Sequence, residues 1–182
     1  GTGTMPEPSK ALLLLSGGMD STTLLWWMGA NGVDDIHTMS IDYGQRHRIE
    51  LACGEQLSVE GGAISHRVLE LDLTQFGGNP LTVSRYTVPS AEEDKQIDTV
   101  VPFRNMLFVT LAAAWAETQE LWDIYLSPVR DDRTAYRDCR REFYDGLENT
   151  LRLGATRSVN FRVHTPFVET WKWEVVKIGL QL

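Results

Sequence analysis

The sequence predicts an α/β domain in which a five-stranded parallel sheet carries helices on both faces. Two observations favour this fold. Short apolar segments rich in β-forming residues alternate with segments of helical period, as in repeated strand–helix–strand units. The first strand segment is apolar throughout, which is typical of a strand that is covered on both faces. The length of 182 residues suits one domain with a sizeable core.

The first half of the chain predicts the order strand, helix, strand, helix, strand. Residues 10–16 (KALLLLS) are short and apolar, as expected of a buried strand. Residues 20–32 (DSTTLLWWMGANG) begin with Asp and Ser, place apolar side chains at helical spacing and end in a glycine-rich stop. Residues 34–44 then predict a second strand, residues 46–59 a second helix and residues 63–73 a third strand.

The second half continues the alternation after an irregular connection. Residues 74–100 carry Gly, Pro and mixed charge without clear period, and about 27 residues are more than a passive connection needs. We expect either a mobile lid or an excursion over the active site, although its charged centre also suits a solvated loop tip. The remaining predicted elements are a helix at 101–119 opened by Pro102, a strand at 121–128, a helix at 136–153, a strand at 160–167 and a helix at 169–182.

Composition limits the classes of function. The formal net charge of −8 argues against a broad electrostatic grip on nucleic acid. The two cysteines, Cys53 and Cys139, are too few and too far apart for a disulfide framework or a zinc cluster, so we expect a cytoplasmic protein. No apolar stretch approaches the ~20 residues of a membrane span. We expect residues 1–9 to be a tag or a disordered N-terminus and residues 10–182 to form a single catalytic domain.

The motif LLLLSGGMDS places small and polar residues directly after the first predicted strand. Gly17 and Gly18 allow backbone N–H groups to approach phosphate oxygens closely, and Ser16 and Ser21 add hydroxyl donors. The following helix start also favours an anion. The motif is neither GxGxxG nor a lysine-containing phosphate loop, which disfavours dinucleotide binding and γ-phosphate hydrolysis. Asp20 makes sense beside phosphates either as a helix cap or as a group that helps to place Mg²⁺.

The string SGGMDSTTLL resembles the SGGxDS pyrophosphate loop of the N-type ATP pyrophosphatase (PP-loop) superfamily. Four further strings, DYGQRH, VPFRNMLFVTLAAAWA, YRDCRREF and HTPFVETWKWE, have the order and approximate spacing found in 7-cyano-7-deazaguanine synthases, the QueC family. The resemblance covers residues 10–182. It implies a Rossmann-like fold of the adenine nucleotide α-hydrolase (HUP-like) type. It also implies an ATP-dependent ligase that converts 7-carboxy-7-deazaguanine and ammonia to 7-cyano-7-deazaguanine through an adenylated intermediate, on the route to queuosine and related deazapurine nucleosides.

The resemblance also implies roles for individual residues. ATP would be bound by Ser16, Gly17, Gly18, Asp20, Ser21, Asp42, Tyr43, Gly44 and Arg46, with Mg²⁺ held by the ATP phosphates and by Asp20. Catalysis would use Asp20, Arg104 and Lys172, where cationic side chains neutralise charge that develops during adenylyl transfer. The deazaguanine substrate would be bound by Gln45, Asn105, Asp132, Tyr136, Asp138 and Arg140. A carboxylate suits the N1–H and 2-amino edge of a guanine-like ring, and a tyrosine can stack on it.

Several residues have simpler interpretations or depart from the family pattern. His47 is equally consistent with a surface histidine at a helix start, and Lys172 with a surface lysine. Cys139 is expected to be a buried thiol rather than a nucleophile, because adenylation needs no thioester. His164 is expected to be structural. Phe103 stands where the family has glycine.

The expected partners are the small-molecule substrate and ammonia, with no nucleic acid and no membrane, and we expect a homodimer. Family members continue into a segment with four zinc-binding cysteines, and these ligands are absent from this sequence, so no zinc site is expected in it. Two alternatives remain open. One is a PP-loop enzyme that adenylates another acyl or amide acceptor, and the other is a catalytically idle nucleotide-binding subunit.

Overall fold

The computed structural model describes residues 6–43, 48–73 and 103–182. The strands are β1 (Lys10–Leu14), β2 (Asp35–Asp42), β3 (Ser65–Glu70), β4 (Asp123–Tyr125) and β5 (Arg162–His164). The helices are α1 (Met19–Ala30), α2 (Arg48–Glu60), α3 (Arg104–Thr118), α4 (Arg141–Gly154) and α5 (Lys172–Gln181). Two 3-10 turns, Arg130–Thr134 and Arg137–Cys139, lie between β4 and α4.

The five strands form one sheet in the order β3-β2-β1-β4-β5, and every neighbouring pair is parallel. The predicted five-stranded parallel sheet is therefore confirmed. The chain builds the sheet outward from β1 in one direction through β3 and then returns to add β4 and β5 on the other side. The reversal occurs between β1 and β4, and in open α/β sheets such a switch point creates a crevice at the carboxyl ends of the strands, where ligands bind.

Both faces of the sheet are covered, as the apolar first strand predicts. Successive residues Leu12 and Leu13 of β1 are both fully buried, although side chains of neighbouring strand residues point to opposite faces. Leu13 joins a core with α1 and α5, which contribute Leu24 and Val175. Leu12 joins a second core with α3 and α4, which contribute Val109 and Leu147.

Helix α2 lies on the same face of the sheet as α1. The hydroxyl of Ser58 in α2 is 2.7 Å from that of Thr38 in β2, and both side chains are buried. Thr38 is the register partner of Leu13, so its side chain points to the α1 face. At the end of α2 a Cβ atom on Gly61 would lie 2.4 Å from Cδ2 of Leu25, so this close approach of α1 and α2 requires glycine.

The prediction that a helix runs over residues 136–153 is wrong at its start. The structure has α4 beginning at Arg141, and the preceding residues form the 3-10 turn Arg137–Cys139, in which the Cys139 amide donates to the Tyr136 carbonyl. The last two strands were also predicted to be too long, because β4 and β5 each contain only three residues. The predicted lid or excursion at residues 74–100, and Pro102, lie outside the described residues.

The outer edge of β5 is occupied by side chains of α4. The Val163 amide donates to Glu148 Oε2 at 2.8 Å, and its carbonyl accepts from Arg141 Nη1 at 2.6 Å. Arg152 Nε donates to the Phe161 carbonyl at 2.8 Å. These backbone groups, which face away from β4, are thus hydrogen-bonded by charged side chains. Within the described parts of the chain, no helix is both long enough and apolar enough to span a membrane.

Candidate active site

A cleft of about 340 Å³ opens at the carboxyl ends of β1, β2 and β4, next to the switch point of the sheet. Four segments that are far apart in the sequence meet there: the turn after β1, the residue after β2, the start of α3 and the segment after β4. The predicted site residues that line this cleft are Ser16, Asp20, Tyr43, Arg104, Asn105, Asp132 and Tyr136. The fold therefore brings together residues from four of the motifs that the sequence singled out.

The turn after β1, which we call the Ser16–Ser21 loop, is held by its own hydroxyl groups. The Ser16 amide donates to Ser21 Oγ at 3.0 Å, and the two serine hydroxyls are 2.9 Å apart. The Gly18 amide donates to Ser16 Oγ at 3.2 Å, and Gly17 adopts a left-handed conformation with φ of 80° that favours glycine. Ser21 is buried beneath the loop, whereas Ser16 lines the cleft. Ser21 thus shapes the loop from inside.

Asp20 lies in the first turn of α1 and pairs with the last helix of the chain. Its Oδ2 is 3.0 Å from Nζ of Lys172, the first residue of α5. The N-cap position of α1 is Gly18, so Asp20 is not the helix cap that the sequence allowed as an alternative. Its other oxygen, Oδ1, is buried and has no hydrogen-bond partner among the residues that the structure describes. A buried carboxylate oxygen of this kind requires a partner to offset its desolvation.

The start of α3 lines the same cleft as the Ser16–Ser21 loop. Arg104 is the first residue of the helix and lines the cleft. Asn105 also lines it, and its Nδ2 donates to the Asp138 carbonyl at 3.3 Å and to Cys139 Sγ at 3.6 Å. Asn105 thus ties α3 to the 3-10 turn Arg137–Cys139. The N-cap residue is Phe103, which is 73% exposed and adopts the left-handed conformation with φ of 58°.

Asp132 and Tyr136 line the cleft from the segment after β4. Oδ2 of Asp132 accepts a hydrogen bond from the Val129 amide at 3.0 Å. Burial raises the pKa of the Asp132 carboxyl above its ordinary value, the Val129 amide opposes that rise, and the negative charge of Asp20 adds to it. The two carboxylates are therefore close enough to influence each other, and Lys172 partly compensates this repulsion by lowering the pKa of Asp132.

Aromatic rings form another part of the wall. The ring of Tyr43, directly after β2, lies 5.4 Å from that of Phe108 in α3. Asp42 is the last residue of β2, and its carbonyl accepts a hydrogen bond from Leu71 at 2.7 Å. The predicted site residues Gly44, Gln45 and Arg46, and His47 beside them, lie outside the described residues, so their roles stay predictions.

Two predicted substrate-binding residues are not brought to the cleft. Arg140 donates through Nε to the Arg133 carbonyl at 3.0 Å and lines a separate depression with Glu169. Asp138 does not line the cleft in the part of the chain that the structure describes, although its carbonyl receives the hydrogen bond of Asn105. Both residues follow Tyr136 closely, but the 3-10 turn directs their side chains elsewhere.

Cys139 and His164 have the surroundings that their structural interpretations predict. Cys139 is buried at the cleft wall, and burial together with the carboxylates of Asp138 and Asp132 raises the pKa of its thiol to about 12. Nε2 of His164 is 2.7 Å from Oδ1 of Asp123, and its ring stacks on Tyr125 with a centroid distance of 4.3 Å.

Ser127 and Pro128 line the cleft but were not predicted from the sequence. They lie two and three residues after the end of β4, at the switch point. Their place at the carboxyl end of a strand beside β1 would have indicated them, had the strand order been known in advance. Tyr144 also lines the cleft from α4, and its position could not be inferred without the packing of α4 on the sheet.

Comparison with known proteins agrees with this architecture. A family model described as queuosine biosynthesis protein QueC matches residues 10–182. A 7-cyano-7-deazaguanine synthase from Clostridium kluyveri is 38% identical over 179 residues, which are 95% of this chain and 79% of that relative. The synthase from Pseudomonas paraeruginosa is 40% identical over 174 residues, 94% of this chain and 77% of that relative. The solved structure of an NH3-dependent NAD synthetase from Campylobacter jejuni superimposes with a TM-score of 0.56 at 11% identity, covering 95% of this chain and 63% of that one. The predicted Rossmann-like fold is thereby confirmed.

Proposed function

This chain belongs to the QueC family of queuosine biosynthesis proteins, a family of enzymes, and on that premise we propose that it makes 7-cyano-7-deazaguanine. The proposed reaction uses 7-carboxy-7-deazaguanine, ammonia and ATP, and releases AMP and pyrophosphate. A carboxylate resists attack by ammonia, whereas its mixed anhydride with AMP does not. A second ATP then adenylates the oxygen of the amide that forms first, and loss of that oxygen with AMP, together with a proton from nitrogen, gives the nitrile. The observation that carries this proposal is one cleft joining the Ser16–Ser21 loop, Arg104 and Asp132.

The Ser16–Ser21 loop is proposed to hold the pyrophosphate portion of ATP. It lies at the N-terminus of α1, where unpaired amides and the helix dipole attract an anion. The Ser16 hydroxyl faces the cleft, and Ser21 keeps the loop in shape from beneath. No lysine stands within the loop, so charge compensation must come from other segments of the chain.

Arg104 and Lys172 are proposed to supply that compensation. Arg104 begins α3 on one wall of the cleft, and Nζ of Lys172 lies beside Asp20 next to the loop. Negative charge increases on the departing pyrophosphate as the bond to the α-phosphate breaks. Positioned cations stabilise such charge in the transition state more than in the ground state.

The donor set at Asp20 fits Mg²⁺. Mg²⁺ is usually held by one or two carboxylates together with substrate phosphates, and Oδ1 of Asp20 is a buried carboxylate oxygen that lacks a hydrogen-bond partner among the described residues. When bound there, Mg²⁺ would neutralise phosphate charge. For zinc, the described ranges contain no group of three or more His, Cys, Asp or Glu side chains placed to hold the ion.

The segment after β4 is proposed to bind the deazaguanine ring. Such a ring offers N1–H and the 2-amino group as adjacent donors, and the Asp132 carboxylate is an acceptor within the cleft. Tyr136 supplies an aromatic face from the same segment, and the Tyr43–Phe108 pair supplies one on the β2 side for the adenine of ATP. Ammonia as the nitrogen donor is supported by the name of the structural neighbour, an NH3-dependent synthetase.

One assay tests the proposed reaction. The protein is incubated with ATP, Mg²⁺, an ammonium salt and 7-carboxy-7-deazaguanine, and the products are identified by mass spectrometry. We expect AMP, the amide and the nitrile, with the nitrile lost when ammonium is omitted. AMP without either product would indicate another acceptor. Absence of AMP with every acceptor tested would favour a catalytically idle subunit and contradict the proposal.

A further inference from the structure

We propose that Asp131 is a positioning residue that holds the start of α5 so that Lys172 reaches the Ser16–Ser21 loop. This inference deepens the proposed function, because it rests on the role of Lys172 beside the phosphates. Asp131 is exposed and lies in the 3-10 turn Arg130–Thr134. It belongs to a different segment from the residues it acts on, 41 positions before Lys172.

The first observation is a helix cap supplied from outside the helix. The first amides of a helix have no acceptor within it, and a side-chain oxygen at the N-cap position usually provides one. In α5 that position is occupied by Trp171, whose indole N–H is a donor and cannot accept. Instead, Oδ1 of Asp131 accepts the hydrogen bond of the Lys172 amide at 2.8 Å. Asp131 thus supplies, from outside the helix, an acceptor for the first amide of α5.

The second observation is that the same turn contacts the residues before Lys172. The Arg130 amide donates to the Thr170 carbonyl at 2.9 Å, and the Arg130 guanidinium lies 4.6 Å from the centroid of the Trp171 ring. Arg133 forms an ion pair with Glu169 at 2.8 Å. The turn therefore holds four consecutive residues, 169–172, and Asp131 provides the contact to the last of them.

The third observation explains why Lys172 needs this anchor. Its side chain is 52% exposed, so packing alone does not fix the long chain that ends at Nζ. Nζ nevertheless lies 3.0 Å from Asp20 Oδ2. Because Lys172 is the first residue of α5, the hydrogen bond to its amide determines where its side chain starts. A displaced backbone would remove the ammonium group from the loop, even though the residue itself was intact.

The neighbouring residue of the turn, Asp132, lines the cleft itself. It accepts from the Val129 amide, whereas Asp131 accepts from Lys172. Of these two successive carboxylates, Asp132 is proposed to bind the deazaguanine substrate and Asp131 to position Lys172 beside the phosphates. Movement of this turn would affect both, which makes the turn a positioning element rather than a passive connection.

The test compares Asp131→Ala with Asp131→Asn. Both variants remove the same negative charge, but asparagine keeps an oxygen that can accept the Lys172 amide. Affinity is measured by titration calorimetry with Mg²⁺–pyrophosphate and with Mg²⁺–ATP. We expect Asp131→Ala to bind about three- to tenfold more weakly than Asp131→Asn, the range expected for loss of a helix cap. Equal affinities of the two variants would overturn the proposal.

A double-mutant cycle with Lys172→Ala separates positioning from general destabilisation. If Asp131 acts through Lys172, adding Asp131→Ala to Lys172→Ala should weaken binding by no more than about twofold. If the fold-losses of affinity in the two single variants multiply in the double variant, the proposal is contradicted. Glu117→Ala is the matched control, since Glu117 accepts the Thr156 amide at 2.9 Å across 39 residues and does not line the cleft. It should leave nucleotide affinity unchanged.

A second measurement does not depend on nucleotide binding. The rate at which an acylating reagent modifies the Lys172 amine in the ligand-free protein is measured by mass spectrometry. The contact with Asp20 shields this amine, so loss of the contact should raise the rate. We expect faster acylation in Asp131→Ala than in wild type or Asp131→Asn. If the wild-type protein binds neither Mg²⁺–ATP nor Mg²⁺–pyrophosphate, the proposed function fails, and the labelling rates still decide the role of Asp131. Equal labelling rates in all three proteins would refute the positioning role.

Discussion

The Nζ atom of Lys172 lies 3.0 Å from Oδ2 of Asp20, so the first and last helices of the chain meet through an ion pair at the cleft. The lysine side chain is half exposed, and such pairs add little to the stability of a fold. The effect of the contact is therefore local. It brings a cation and a carboxylate to the edge of a loop that has no cation of its own.

Asp20→Asn is expected to abolish most AMP formation. The substitution preserves the size of the side chain but removes the charge that the proposed Mg²⁺ site requires. We expect kcat for AMP release to fall by about 10²-fold or more, the scale seen when a positioned electrostatic group is removed. The measurement is AMP release under saturating ATP, alongside circular dichroism to verify folding. Asp145→Asn is the control, because it alters an exposed ion pair with Arg141 away from the cleft.

Phe103→Gly is expected to stabilise the protein. Phe103 has a left-handed backbone, which costs a residue with a Cβ roughly 1–2 kcal/mol, and its ring is largely exposed, so little burial is lost. The greater freedom of glycine in the unfolded chain offsets about 0.4–1 kcal/mol of this gain. We expect the free energy of unfolding in urea to rise by about 0.5–1 kcal/mol.

Phe103→Ala is the matched variant for this experiment. Alanine removes the ring as glycine does but keeps the Cβ, so the backbone strain remains. The glycine variant should unfold at a higher urea concentration than the alanine variant. An alanine variant as stable as the glycine variant would show that the ring, and not the left-handed conformation, determines the difference.

The free energy of unfolding is expected to fall as the pH drops below about 6.5. Burial lowers the pKa values of His37 and His66 below their ordinary 6.5, with opposing effects of Asp35 and Glu55. Nδ1 of His66 is 2.8 Å from Thr38 Oγ1, and its Nε2 is buried with no hydrogen-bond partner among the described residues. Protonation would bury an additional unsatisfied N–H.

The direction of this pH dependence follows from the number of protons that the folded and unfolded states bind. Between pH 6.5 and the lower folded-state pKa, the unfolded chain binds more protons than the native protein, so stability rises with pH across that window. Urea titrations at several pH values measure this slope. His66→Asn, which keeps a group able to pair with Thr38 but does not titrate, should have a smaller slope than the wild type. An unchanged slope would exclude His66 as its source.

Cys139 is expected to resist alkylation in the native protein. A thiol with a pKa of about 12 has about one part in 10⁴ as thiolate at pH 8, and the thiolate is the reactive form. Cys53 is exposed and serves as the internal reference. Peptide mapping after iodoacetamide treatment should show Cys53 modified at least about 100-fold faster than Cys139, with the difference lost in urea. Comparable alkylation rates of Cys53 and Cys139 in the folded protein would contradict the prediction that Cys139 is unreactive.

The fold could be predicted because its evidence is local and repeated. The apolar strand predicted at residues 10–16 forms over Lys10–Leu14, and the predicted glycine turn follows it. Parallel strands then bring Ser16 and Asp132 to one edge of the sheet. The edge of the sheet that holds the cleft was predictable, because parallel strands place the loops that follow them at one edge, whereas the strand order that decides which loops are neighbours was not.

The details that could not be predicted depend on side-chain contacts between distant segments. Arg140 follows Tyr136 by four residues, yet a 3-10 turn held by Asn105 directs it to another depression. Ser21 is buried beneath its own loop rather than exposed on it. The cap of α5 comes from Asp131, a residue whose sequence neighbours give no sign of a partner 41 positions away.

The hydrogen bonds from α4 to the outer edge of β5 limit how the sheet can grow. A strand from a second molecule could pair with β5 only by displacing Arg141, Glu148 and Arg152, which already occupy the Phe161 and Val163 backbone groups. Unpaired strand edges are templates for association and aggregation. Side chains of α4 therefore block the outer edge of β5. In the native state, two molecules are not expected to associate by pairing their β5 strands.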